Sequence, residues 1–428
     1  MAALGTSGEF MPEKITASYR IVTPMFIGDA EQKASGISPA SVKGALRFWW
    51  RALNWGRVLK EAGDNEVAAL KLLHAQEAVL FGGLAETDED EKTGKKQQLG
   101  GQGAFLLRVE SKNLKKYSAG TMDEHYNLKD SWQSYLLGLG LMKYDKKKNY
   151  YQRSALISGS FSVQLFCKNS AYSQELENLL LLWGLLGGLG SRQRKGLGSI
   201  SITALKVGDE IRELPQNQPA VLEVLKNLID KSATGEPPYT AFSQSSQILC
   251  SPAKAQTSWQ TLAEIAEKMQ MFRGWGFDAG AGHQINHKPA NHAAHTKKRT
   301  DHNIVDDYAK PAVPTKQLPK SITFGLPRSY KLSNGCEFKL DVHAPSKNNE
   351  AKRSRRASPM FIHIQQFPND ETMIIQSFLP ATFLAANDQV QIQQKIGNHW
   401  GVVDNITPAT NWQVIREYLK TFSTWLAV

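Results

Sequence analysis

The order in which hydrophobic periods change along the first half constrains the fold most. Lys14–Thr23 alternates, with Ile15, Ala17, Tyr19 and Ile21 on one face, which predicts a half-buried strand. Ser38-Pro39 opens a helix, because Ser38 can cap free N–H groups and Pro39 suits a first turn. A second helical stretch near Asn65–Leu80 follows. Gly103–Glu110 and Ser154–Phe166 predict strands, Ser173–Leu189 a helix and Gly198–Leu205 a closing strand. Strand, helix, two strands, helix, strand is the split βαβ, or ferredoxin-like, order. It is expected to span residues 11–210. Inside it, "ETDEDEKTGKKQQLGGQG" reads as a flexible insertion, and the stretch containing "KYDKKKNYYQR" as a long basic excursion.

The chain has 428 residues, enough for two or three domains. Residues 1–10, "MAALGTSGEF", read as a leader before a native start at Met11. Residues 211–245 read as a connector. In residues 246–428 a helix is expected near Trp259–Gly274, strands at "KSITFGLP", "CEFKLDVH", "SPMFIHIQQF" and "TMIIQSFLP", and a terminal helix at "TNWQVIREYLKTFSTWL". The fold class is therefore α+β, with two ferredoxin-like (RRM-like) domains, the second more divergent.

Lysine and arginine number 51 against 40 acids, a formal charge of +11 that suits a polyanionic partner. No segment approaches the roughly 18 apolar residues that cross a bilayer, so no membrane role is expected. Cys167, Cys250 and Cys336 are odd in number and far apart, which points to a reducing, cytoplasmic setting without disulfides.

Placed at about 100° per residue, Val42, Leu46, Trp49 and Leu53 of "SPASVKGALRFWWRAL" form one apolar stripe. Lys43, Arg47, Arg51 and Asn54 form a second stripe beside it, with Trp50 and Arg57 between the two. No acid occurs between Glu31 and Glu61, so the cations look unbalanced by their own helix. A row of cations beside an anchored aromatic platform suits a chain of phosphates. The plain alternative is an amphipathic helix with a solvated basic flank.

The second feature is "GGLGSRQRKGLGS". Gly190 and Gly196 stand among glycines that bracket Arg192, Arg194 and Lys195. A P-loop needs Gly-Lys followed by Ser or Thr, and here Lys195 precedes Gly-Leu. A dinucleotide fingerprint opens a helix after a strand, whereas this loop closes a helix before one. Glycines let backbone N–H groups approach a ligand, and the cations can neutralise phosphates. The alternative is a flexible, glycine-capped turn.

These two stretches, with "TPMFIGDA", "FGLP" and "RRASPMFIHI", resemble the RAMP superfamily of CRISPR proteins, and "LRFWWRA" is similar to the first-numbered subunits of Cmr (type III-B) effector complexes. The family's Ser-x-Lys-Gly-x-x-Arg pattern falls on Ser41, Lys43, Gly44 and Arg47. The family's aromatic-Pro-Glu signature has only a poor counterpart in "RTDHNIVDDYAKP". The resemblance implies two RAMP domains and a non-catalytic subunit that grips guide crRNA and target RNA near the guide's 3′ end. It implies no cofactor and no small-molecule substrate. The implied protein partners are other Cmr RAMP subunits and the small helical subunit. The RNA-binding set expected is Lys43, Arg47, Arg51, Arg57, Gly190, Arg192, Arg194, Lys195 and Gly196, with no metal ligands.

Two rival readings stay open. An RNA-cleaving enzyme could use Asp29, on the loop after the first strand, or His283, His287, His292, His295 and His302. The plain reading of Asp29 is a solvated turn residue, and the histidine spacings lack a partnering cysteine or a clear helical phase. A protein-only scaffold would instead turn the basic stripe toward acidic partners.

Overall fold

β1 (Glu13–Ile21) encloses every second side chain, with Ile15, Ala17 and Tyr19 fully buried. It belongs to a computed structural model that describes residues 13–89, 96–118, 132–138, 140–143, 150–275, 301–310, 317–332, 334–343, 355–408, 410–422 and 426–427. The expected leader at residues 1–10 lies outside the described residues, as do His283, His287, His292 and His295. The chain forms two compact units: residues 1–118, 154–193 and 197–233 make the first, and residues 119–153, 194–196 and 234–428 the second.

In the first unit β1 leads to α1 (Pro39–Glu61) and α2 (Glu66–Phe81). The stretch expected to be a flexible insertion pairs instead as a hairpin, β2 (Gly83–Glu89) with β3 (Lys96–Gly101). β4 (Phe105–Tyr117) runs well past its expected end at Glu110. The chain then contributes α3 (Gln133–Leu137), β5 (Met142–Lys143) and β6 (Tyr150–Tyr151) to the second unit. It returns with β7 (Ala155–Cys167), α4 (Ser173–Leu186), β8 (Ile200–Val207) and β9 (Glu210–Ile211). α5 (Gln218–Leu228) falls where a connector was expected and packs on α4.

The sheet order is β4-β7-β1-β8-β9, antiparallel at every pairing. Among the four main strands, the spatial order is second, third, first, fourth. Helices α1 and α4 cover one face. Between sheet and helix, Tyr19 stacks on Phe161 at 5.2 Å, meets Trp183 edge-on at 4.8 Å and donates its hydroxyl to the Leu180 carbonyl at 3.0 Å. That bond satisfies a phenol with no access to water.

The second unit repeats the spatial order. β10 (Gln247–Pro252) is followed by α6 (Ser258–Trp275), α7 (Asp301–Asp306), β11 (Arg328–Lys331) and β12 (Glu337–His343). β13 (Met360–Gln366), β14 (Thr372–Phe378), β15 (Gln389–Ile396), β16 (His399–Ile406), α8 (Gln413–Leu419) and β17 (Leu426–Ala427) complete it. One antiparallel sheet runs β13-β14-β10-β17, again second, third, first, fourth once the inserted strands are set aside. The inserted strands make a separate sheet, β11-β12-β15-β16. The expected strand at Lys320–Pro327 is a 3-10 turn over Lys320–Phe324. It curls because the Asp301 carboxylate accepts the Lys320 and Ser321 N–H groups at 2.9 and 3.0 Å. No helix among the described residues is long and apolar enough to cross a membrane.

Candidate nucleic-acid interface

α1 starts where its sequence says it should. Ser38 is extended and accepts the Ser41 N–H at 3.1 Å, and Pro39 occupies the first turn. Val42, Leu46 and Trp49 are buried, while Leu53 is only half-buried. Trp50 is also buried, and its indole N–H donates to Glu175 in the first turn of α4 at 2.7 Å. Both tryptophans thus belong to the core and to helix–helix contacts, and neither is presented for base stacking.

The unbalanced basic stripe is corrected by the fold. A four-residue link joins α1 to α2, so the two helices run antiparallel and α2 lays Glu77 against α1. Glu77, with 10% of its side chain exposed, pairs with Arg47 at 3.2 Å and Arg51 at 3.5 Å. Arg47 also donates to the Gly82 carbonyl, closing the end of α2, and lies over the Phe81 ring at 5.7 Å. Arg57 bonds Glu61 at 2.6 Å, Asn54 at 2.8 Å and Gln76 at 2.9 Å. Two cations share one carboxylate, so a positive excess remains, but Arg47 is a structural clamp before it is anything else. Lys43 is half-buried near the start of the helix, and burial, then the charge of Arg47, lowers its pKa.

The glycine loop is locked by backbone bonds to the segment between β1 and α1. Ser191 N donates to the Phe26 carbonyl at 2.8 Å, Gly198 N to Pro24 at 2.9 Å, and Leu189 N to Gly198 at 3.0 Å. Gly198 has φ +66°, and a Cβ there would stand 1.9 Å from the Leu189 oxygen. Gly190 has φ +88°, and a Cβ there would stand 2.7 Å from the Phe26 oxygen. Both glycines are required by close backbone approach, not by mobility. The alternative of a flexible turn is therefore corrected: Gln193–Lys195 forms a 3-10 turn.

The three loop cations differ. Arg192 is exposed and holds a left-handed backbone, φ +64°. Arg194, itself part of the second unit, donates to the Ser358 carbonyl and lies over Phe361 at 4.4 Å. Burial pulls its pKa down to about 10, so it stays charged at neutral pH. Lys195 is half-buried, 5.9 Å from the Tyr135 ring, and Gly196 is buried against Leu262 and Ile362. Arg194 was expected as an exposed cation, and it is a packed one.

Asp29 closes its own loop. Its carboxylate accepts the Lys33 N–H at 2.8 Å, and its backbone N–H donates to the Lys33 carbonyl at 3.0 Å. The Lys33 N–H holds the carboxyl below the usual range. Among the described residues no three His, Cys, Asp or Glu side chains gather as a metal site.

Residues 18–201, from within β1 to the start of β8 and including α1 and the glycine loop, match the RAMP superfamily. Over that stretch the chain is similar to RAMP superfamily proteins. The Cmr subunit Cmr1-2 of the Pyrococcus furiosus CRISPR system is 26% identical over 194 residues, which cover 43% of this chain and 92% of that protein. The crystal structure of apo Cmr1 from Pyrococcus furiosus is 17% identical with a TM-score of 0.48, covering 94% of this chain and 96% of that one. Within the matched stretch, the partners of the α1 cations were the part that sequence reasoning missed. The signal was the short link after Glu61, which sets Glu77 opposite Arg47 and Arg51.

Proposed function

We propose that this chain is a non-catalytic, cytoplasmic RNA-binding subunit of a type III-B CRISPR (Cmr) ribonucleoprotein. Both units are read as ferredoxin-like RAMP domains. The subunit holds guide crRNA and target RNA by their backbones near the guide's 3′ end, beside sister Cmr RAMP subunits and the small helical subunit. The observation that carries this reading is the rigid glycine loop, bonded along its backbone to the segment that precedes α1 and presenting Arg192 to solvent. A locked backbone with an exposed cation positions phosphates without reading bases, which suits a subunit that accepts any guide. In the first unit Lys43, Arg51 and Arg57 add charge and Arg47 supports them from beneath; in the second unit Lys195 adds charge.

The test is RNA affinity across a salt series for the wild type and for a variant carrying Lys43→Ala and Arg192→Ala. Each lost phosphate contact should flatten the log–log slope by about 0.7 on single strands. A slope identical to wild type would leave both features as solvated surface. The carboxylate of Glu77 between Arg47 and Arg51 favours a second reading, a protein-only scaffold, which predicts no retained RNA at low salt. Non-catalysis has its own test: Asp29→Ala in a reconstituted complex should leave target cutting intact.

A further inference from the structure

The second unit holds a cavity of about 170 Å³ built from four separate stretches. Tyr239 comes from the segment before β10, Arg355 and Arg356 from the run into β13, Phe383 from the turn after β14, and Trp412 from the start of α8. Its walls are set by contacts that need no ligand. Trp412 donates its indole N–H to Glu236 at 2.6 Å and meets Phe378 and Phe383 edge-on at 5.7 and 5.8 Å. Thr382 N donates to the Pro237 carbonyl at 2.8 Å. Arg356 and Leu326 exchange backbone bonds at 3.0 and 2.9 Å, and the Arg356 side chain reaches Asp388 at 3.8 Å.

We propose that this cavity seats one unpaired nucleotide of a bound RNA strand. Three aromatic side chains line it, two adjacent arginines stand with them, and none of the lining residues is acidic. Aromatic side chains hold bases in a sequence-tolerant way, and a guanidinium neutralises the phosphate that follows. The cavity falls below the ~300–1,000 Å³ of pockets for drug-sized ligands, so it admits a single ring system and no more. Tyr239 is half-buried and Arg355 is exposed, so both remain reachable from solvent. The base would enter against the aromatic wall, and Arg355 would take the phosphate. This inference rests on the reading of the chain as an RNA-binding subunit.

The experiment compares a single-stranded RNA with an abasic strand of equal length, on the full chain and on Tyr239→Ala and Arg355→Glu variants checked for native melting. Tyr239→Ala should weaken the RNA about tenfold, within what one lost base–aromatic contact produces, and leave the abasic strand unchanged. Arg355→Glu should weaken both strands. 4-Thiouridine placed in the RNA should crosslink to peptides containing Tyr239 or Trp412. RNA that binds wild type and Tyr239→Ala alike, with crosslinks elsewhere, overturns the pocket and leaves the RNA-binding reading standing. A wild-type chain that binds neither strand overturns both. Saturable quenching of tryptophan fluorescence by uridine monophosphate, lost in Tyr239→Ala, with no crosslink from RNA, would overturn the strand-bound nucleotide in favour of a free one.

Discussion

Glu77 answers two arginines with one carboxylate, and that division separates structural cations from available ones. Arg47 holds the end of α2 through the Gly82 carbonyl as well as through Glu77. Arg47→Ala should therefore cost stability, about 1–3 kcal/mol for a lost charged hydrogen bond that leaves its partners behind, read as a lower melting temperature. Lys43→Ala should leave melting unchanged. Arg194 behaves like Arg47: removing it forfeits a desolvated cation–π contact worth about 2 kcal/mol and strands the Ser358 carbonyl. An Arg194→Ala variant with wild-type melting would show that the guanidinium is not packed. The cysteines make a second check. Burial pushes the thiols of Cys167 and Cys250 up to about 11 and 12, so at pH 8 both stay protonated and unreactive. Cys336 is only half-buried, and iodoacetamide should label it first under native conditions, as peptide mapping would reveal.

Elements whose residues carried their own period were legible before the structure. β1 alternates, α1 has its Ser-Pro start, and β13 and β14 are apolar runs buried on both faces. β10 was not legible, and β15 was not read. β10 is six residues with a cysteine, a serine and a proline, whereas β15 alternates Val390 and Ile392 with glutamines, a period-2 signal that the sequence reading passed over. The 3-10 turn at Lys320 could not be read locally, because Asp301, which shapes it, lies about a score of residues earlier. The glycine loop was legible in composition and illegible in mechanics: its glycines serve contact rather than flexibility. Gly198→Ala should therefore disrupt the loop, since the new methyl meets the Leu189 oxygen in a backbone region that alanine avoids. Hydrogen exchange at Leu189 and Ser191 should accelerate in that variant. Unchanged exchange would mean that the loop accommodates a side chain.

At the scale of the molecule, the second unit depends on one carboxylate among cations and tyrosines. Asp301 is 8% exposed and accepts three bonds from Lys320 and Ser321, while Arg328 donates to the Ser321 carbonyl at 2.8 Å and Arg273 lies 5.1 Å from the Phe324 ring. Asp301→Asn should destabilise this unit by about 1–3 kcal/mol, the range for hydrogen bonds made to a charged acceptor. Deuterium uptake should rise in α7, β11 and the Lys320 turn and stay unchanged in β1 and β7. A rise in β1 and β7 equal to that in α7 would mean that the loss is not confined to the second unit.

The division of the chain also sets a timetable for synthesis. α3 emerges from the ribosome more than a hundred residues before α6, yet the Gln133 amide donates to the Trp259 carbonyl, at 2.8 Å. The first unit can close around β7 and β8 while the looped-out stretch containing α3 waits unpaired for its partner. A nascent chain released early would carry that stretch exposed, so a chaperone that recognises unburied apolar segments would meet Leu136 and Leu137 first.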